Sequence, residues 1–121
     1  MNFNFFASQE IDHFDSEGNY HNAQAYVDEV STGNQKVLFL WIDVISSAQV
    51  KPFGFDFSGT TGVAVSRKDK DGMSIITYKI LPETVGHLTV WLSEEKSITI
   101  QFDLKEKYLI DNEGNKFDLE N

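Results

Sequence analysis

Between Ser97 and Asp103 polar and apolar residues alternate with a period of two, and the hairpin that this stretch closes constrains the fold more than any other part of the chain. Leu88-Thr89-Val90-Trp91-Leu92-Ser93, the turn Glu94-Glu95-Lys96 and Ser97-Ile98-Thr99-Ile100-Gln101-Phe102-Asp103 read as a hairpin. Its second arm puts Ile98, Ile100 and Phe102 on one face and Thr99, Gln101 and Asp103 on the other, as a half-buried strand requires. A second hairpin runs from Gly62–Ser66 through the polar turn Arg67–Gly72 to Ser74–Ile80, with Asp71-Gly72 supplying the positive backbone φ of a tight turn. A third, shorter pair, Tyr108–Ile110 and Lys116–Leu119 around Asp111–Asn115, closes the chain at a sheet edge.

Lys36–Ile45 is β-branched and aromatic on both faces, which predicts a central strand buried on two sides. The segment before it is ambiguous. Ala23, Tyr26, Val27 and Val30 fall at helical spacing, with Gly33 placed as a C-cap, but Asp28 and Glu29 would then sit at the negative end of the helix dipole. A strand turning at Ser31–Gln35 is favoured. The expected fold is therefore one all-β domain over residues 1–121, an antiparallel sandwich or partly open barrel. The alternative is an α+β domain with one N-terminal helix near 20–31.

The 121 residues include no cysteine, which removes thiol catalysis, thiolate zinc sites and disulfides together. Ten Lys and Arg against nineteen Asp and Glu give a net charge of −9, unevenly spread. Residues 1–35 carry six acids and no base, residues 36–93 are near neutral, and residues 94–121 carry eight acids against four bases. Nucleic acid and anionic membrane are poor partners for such a chain, because phosphate binding draws on cations. The N-terminus lacks the basic start of a secretory signal, and the longest apolar run, Val37–Ile42, is far below the roughly 20 residues of a membrane span. The location expected is cytoplasmic.

Chemical motifs are mostly excluded by register. Asp15-Ser16-Glu17-Gly18-Asn19 and Asp111-Asn112-Glu113-Gly114-Asn115 share an Asp-x-Glu-Gly-Asn pattern, which two similar turns explain without a repeat. Read as calcium loops, these turns and Asp69–Gly72 would place His13, Leu109 or Arg67 where the first carboxylate ligand belongs. His13, His21 and His87 lack metal-ligand spacing, so no metal and no cofactor are expected. In Gly54–Gly62, Thr60 stands where a phosphate loop needs lysine, and Asp56 stands where a nucleophile elbow around Ser58 needs glycine. No catalytic residue is expected, and an enzyme would need distant carboxylates or a His–acid pair to converge. Trp41 and Trp91 are read as mainly buried, although either one exposed beside a groove would favour a small ligand- or carbohydrate-binding β-module. Phe53, Phe55 and Phe57 share one face of an extended segment, as core or as an apolar patch.

A small, cysteine-free, strongly acidic β-rich domain of this kind resembles the immunity proteins that bacteria encode beside contact-dependent or otherwise secreted toxins. The resemblance implies an inhibitor without enzymatic activity that occludes the active site of a cognate toxin, often a basic nuclease. For a cationic protein partner, the acids expected in exposed turns are the candidate contacts: Asp12, Asp15, Glu17, Asp28, Glu29, Glu94 and Glu95.

Overall fold

The computed structural model describes residues 2–4, 11–47 and 54–119. Among them are eleven strands: β1 (Asn2–Asn4), β2 (Ile11–Phe14), β3 (Tyr20–Thr32), β4 (Gln35–Ser47), β5 (Phe55–Thr60), β6 (Val63–Lys70), β7 (Met73–Ile80), β8 (Val85–Trp91), β9 (Ser97–Asp103), β10 (Tyr108–Ile110) and β11 (Lys116–Asp118). They form two antiparallel sheets. The first runs β1-β3-β4-β7-β6, with β2 also paired to β3, and the second runs β11-β10-β9-β8-β5. The all-β expectation holds as a sandwich, and the two sheets do not close into a barrel. No helix occurs among the described residues, and none is long and apolar enough to cross a membrane.

Residues 20–31 lie within β3, paired with β4 over twelve positions from His21↔Ser46 to Thr32↔Gln35. The helical stripe lost because a strand of this length gains a full ladder and sends Ala23, Ala25 and Val27 inward, all of them buried. The turn is Gly33-Asn34, with Gly33 at φ 63°, the positive value that the first central residue of a type II′ turn needs. In the β6–β7 hairpin the ladder runs on to Lys70↔Met73, leaving Asp71 (φ 53°) and Gly72 (φ 76°) as a two-residue turn. The strand thus continues through Arg67–Lys70, which the sequence had placed in the turn. It can do so because β6 is an edge that buries almost nothing, and charged side chains there also discourage pairing with another chain.

Both inner faces meet in one core: Leu38, Leu40, Ile42 and Val44 of β4 lie in a cluster with Leu88 and Val90 of β8 and Ile98, Ile100 and Phe102 of β9. Strand β4 is central in its sheet, between β3 and β7, yet it is buried on one face only. This corrects the two-sided burial expected for Lys36–Ile45. Phe39, Trp41 and Ile45 point away from the second layer and are half-buried. Trp91 is also outside, 39% exposed, because Leu88, Val90 and Leu92 take the inward positions around it. Phe57 stacks on Phe102 at 6.4 Å and packs against the core, Phe55 meets the edge of Tyr78 at 5.2 Å but stays exposed, and Phe53 lies outside the described residues.

Gly59 of β5 pairs directly with Gly86 of β8. A Cβ on Gly86 would run into the Ser58 carbonyl oxygen, and one on Gly59 into that of Val85, so the two backbones approach closer than any side chain allows. Gly86→Ala is expected to destabilise the protein by about 1–3 kcal/mol, seen as a lowered midpoint in thermal unfolding followed by circular dichroism. An unchanged midpoint would show that β5 yields freely.

Candidate protein-binding site

The two Asp-x-Glu-Gly-Asn segments fold into the same turn. In the first, the Asp15 carboxylate accepts the backbone N–H groups of Glu17 and Asn19, both at 2.9 Å, and Gly18 takes φ 81°. In the second, Asp111 accepts those of Glu113 and Asn115 at 2.9 Å, with Gly114 at φ 86°. The aspartates therefore build the turns and the glutamates are left outside, Glu17 and Glu113 both exposed.

Asp15 is further held by His21, whose Nε2 lies 3.0 Å from Asp15 Oδ2 while its Nδ1 lies 2.9 Å from Ser46 Oγ. Since an ionised carboxylate only accepts, Nε2 carries a proton directed at Asp15. That hydrogen bond, with those from Asn19 and Glu17, draws the Asp15 carboxyl from its ordinary 3.8 down to about 2. Ser46, His21 and Asp15 have the residue types of a hydrolytic relay, but His21 is fully buried and Ser46 is 8% exposed on the inner face. Their alignment fastens a turn to the sheet.

His13, beside this unit, stacks on His21 at 5.7 Å and places Nε2 2.8 Å from Ser93 Oγ. Ser93 Oγ also accepts the Glu95 N–H at 3.1 Å, so the β8–β9 loop is tied to β2 in the opposite sheet. The third turn reaches the same end through Asn112, whose side-chain oxygen accepts the Thr99 N–H at 2.9 Å near the start of β9. The result is one end of the sandwich carrying exposed carboxylates from β2 (Asp12) and from three loops (Glu17; Glu94 and Glu95; Glu113). Asp12 is ordered there by the Tyr20 hydroxyl (2.6 Å) and Asn22 Nδ2 (2.8 Å), and these bonds lower its carboxyl pKa, Tyr20 contributing most.

Five of the seven candidate acids, Asp12, Asp15, Glu17, Glu94 and Glu95, thus meet at this end, and two do not. Asp28 is half-buried opposite Phe39 further along β3, and Glu29 is half-buried with Lys36 at 3.9 Å. The expectation that all seven are freely exposed is corrected for these two and for Asp15, because a long strand carries 28 and 29 away from the turn and His21 engages Asp15. Two exposed aromatic residues stand at the strand ends bordering the site. Phe14, 66% exposed and 5.3 Å from Tyr20, is on the outer face of the first sheet, and Trp91, expected to be mainly buried, is on the outer face of the second. The alternation of Ile11 and His13 against Asp12 and Phe14 held the signal for Phe14, but only pairing with β3 decides which face is outside. Among the described residues no three His, Asp or Glu side chains gather to hold a metal ion.

The Asp15–His21 bond makes stability depend on acidity. With a folded-state pKa near 2 and an ordinary value of 3.8, its contribution is complete above about pH 4 and is lost as the pH falls towards 2. Asp15→Asn keeps an acceptor for the turn and loses the charge. Urea unfolding followed by tryptophan fluorescence is expected to show wild-type stability falling more steeply than that of Asp15→Asn between pH 4 and 2. Parallel curves would show that the bond contributes no pH dependence.

Compared with known protein families, curated proteins and solved structures, the chain matches none of them.

Proposed function

We propose that the chain is a protein-binding inhibitor that neutralises a cationic partner, a toxin domain such as a basic nuclease, by covering its active site with the acidic end of the sandwich. The observation that carries this reading is the His13–Ser93 hydrogen bond, which unites acidic loops from both sheets, with exposed Phe14 and Trp91 at the adjoining strand ends on opposite outer faces. Carboxylates steer a cationic protein and occupy a surface built for phosphate, while exposed aromatic side chains serve as desolvated anchors. The turns are held by hydrogen bonds to Asp15, Asp111 and Ser93, so docking orders little backbone and loses little entropy. A cytoplasmic location, where the inhibitor would protect its producer, belongs to the same reading.

A carbohydrate module built on Trp41 is less well supported. Its ring lies between Tyr26 of β3, parallel within 6° at 6.1 Å, and the Lys79 ammonium of β7, 5.0 Å from the ring centroid, so neither face is open to a sugar.

Co-expression with the product of the reading frame beside its gene is expected to yield a stoichiometric complex. In stopped-flow mixing at two ionic strengths, the Glu17→Lys, Glu94→Lys, Glu95→Lys triple variant is expected to associate at least about tenfold more slowly with a flatter salt dependence. Trp91→Ala is expected to act on dissociation, costing about 2 kcal/mol or more. Thermal unfolding of both variants should match the wild type. Absence of a complex, or an unchanged association rate in the triple variant, would overturn the proposal.

A further inference from the structure

The outer face of the first sheet carries a trench across its strands, and the row that forms one of its ridges continues through Asn22 to Asp12. Register sets Gln24, Asp43, Thr77 and Ser66 in one row across β3, β4, β7 and β6. On one side stands the row Tyr26, Trp41 and Lys79, and on the other Ile45, Ile75 and Lys68. Short polar side chains between two tall ridges leave a groove of about 540 Å³, within the size range of small-ligand sites. An outward sheet face is ordinarily polar on every row, so two ridges of aromatic and β-branched residues there are unusual.

Its charge is divided along its length. At the β3–β4 end lies the Asp43 carboxylate, accepting the Thr77 hydroxyl at 2.8 Å. At the β7–β6 end the exposed Arg67 and Lys68 line the groove, while the Lys79 ammonium is engaged by the Phe39 and Trp41 rings, 4.5 Å and 5.0 Å from their centres. Strands lie about 4.8 Å apart, so the negative and positive ends are separated by roughly 5–10 Å. A purely cationic ligand would meet Arg67 and Lys68, and a purely anionic one would meet Asp43. A molecule with an ammonium at one end, a carboxylate at the other and an apolar body between suits both ends and both ridges.

We infer that this trench binds a short peptide with free termini, its ammonium on Asp43, its carboxylate on Arg67 and Lys68, and apolar side chains against Ile45 and Ile75. At roughly 3.3–3.6 Å per extended residue, two to three residues bridge the ends. None of the residues lining the trench belongs to the acidic end, so either can fail without the other.

The probes are dileucine and trileucine with free termini, together with their N-acetylated and C-amidated forms. They are titrated into the Trp91→Phe variant, in which Trp41 is the remaining tryptophan. The expected result is a saturable change in Trp41 fluorescence with a free peptide, weakened at least tenfold by either cap. Asp43→Asn should reproduce the loss caused by acetylation, and Lys68→Gln part of that caused by amidation. No saturable signal at millimolar peptide, or equal binding of free and capped forms, would overturn the inference. The capped peptides need no variant beyond the reporter, so the test stands even where a substitution in the trench unfolds the chain.

Discussion

Leu38, Leu40, Ile42 and Val44 of β4 must be taken out of water together with the inward row of β8 and β9, and the rest of the molecule is arranged around that burial. Because a strand's side chains alternate, sending this row inward commits every second residue of the same strands to the surface, whatever its chemistry. Trp41 and Ile45 on β4 and Trp91 on β8 are outside for that reason. Large apolar side chains on the outer faces are thus partly a by-product of packing, and they also supply the contact area from which a binding surface is made.

The loops are governed by a different economy. Asp15 and Asp111 spend their carboxylates on backbone N–H groups of their own turns, so the chain's acidity is not all available to a partner. What remains outward is a smaller, fixed set led by Glu17, Glu94, Glu95 and Glu113. His21 and His13, placed back to back between the sheets, connect turn, sheet and opposite loop through Asp15, Ser46 and Ser93. Rigid carriage of the acids matters for recognition, since a preorganised surface keeps more of its interaction energy on binding.

Two surfaces follow, and they differ in kind. The acidic end draws negative groups from both sheets and has exposed aromatic residues at its rim, which fits association with a cationic protein. The trench on the outer face of the first sheet mixes charges within a few strand spacings and is walled by apolar ridges, which fits a small zwitterion. Long-range steering belongs to the first and short-range complementarity to the second.

The local grammar of this fold was legible in the chain. Alternation at Ile98, Ile100 and Phe102, the Asp71-Gly72 turn and the repeated Asp-x-Glu-Gly-Asn turn each depend on φ preference and side-chain parity, which neighbouring residues carry with them. Residues 20–31 were undecided because their apolar residues satisfy both periods, and only the ladder with β4 separates the two. The site was half legible: charge located the acids near both ends of the chain, but which of them share a surface was not. Asp28 and Glu29 were separated from Glu94 and Glu95 by the length of β3, and Glu17 was joined to Glu94 and Glu95 by one hydrogen bond spanning eighty positions. The trench was hidden altogether, because its floor is assembled from four strands whose register no single segment contains. The sequence by itself determined the hairpins around Asp71-Gly72, Glu94–Lys96 and Asp111–Asn115 and the inward row of β9, since those follow from contacts between near neighbours. Tertiary structure alone decided what stands beside what, because cross-sheet and cross-strand contacts are selected by the global packing of the core.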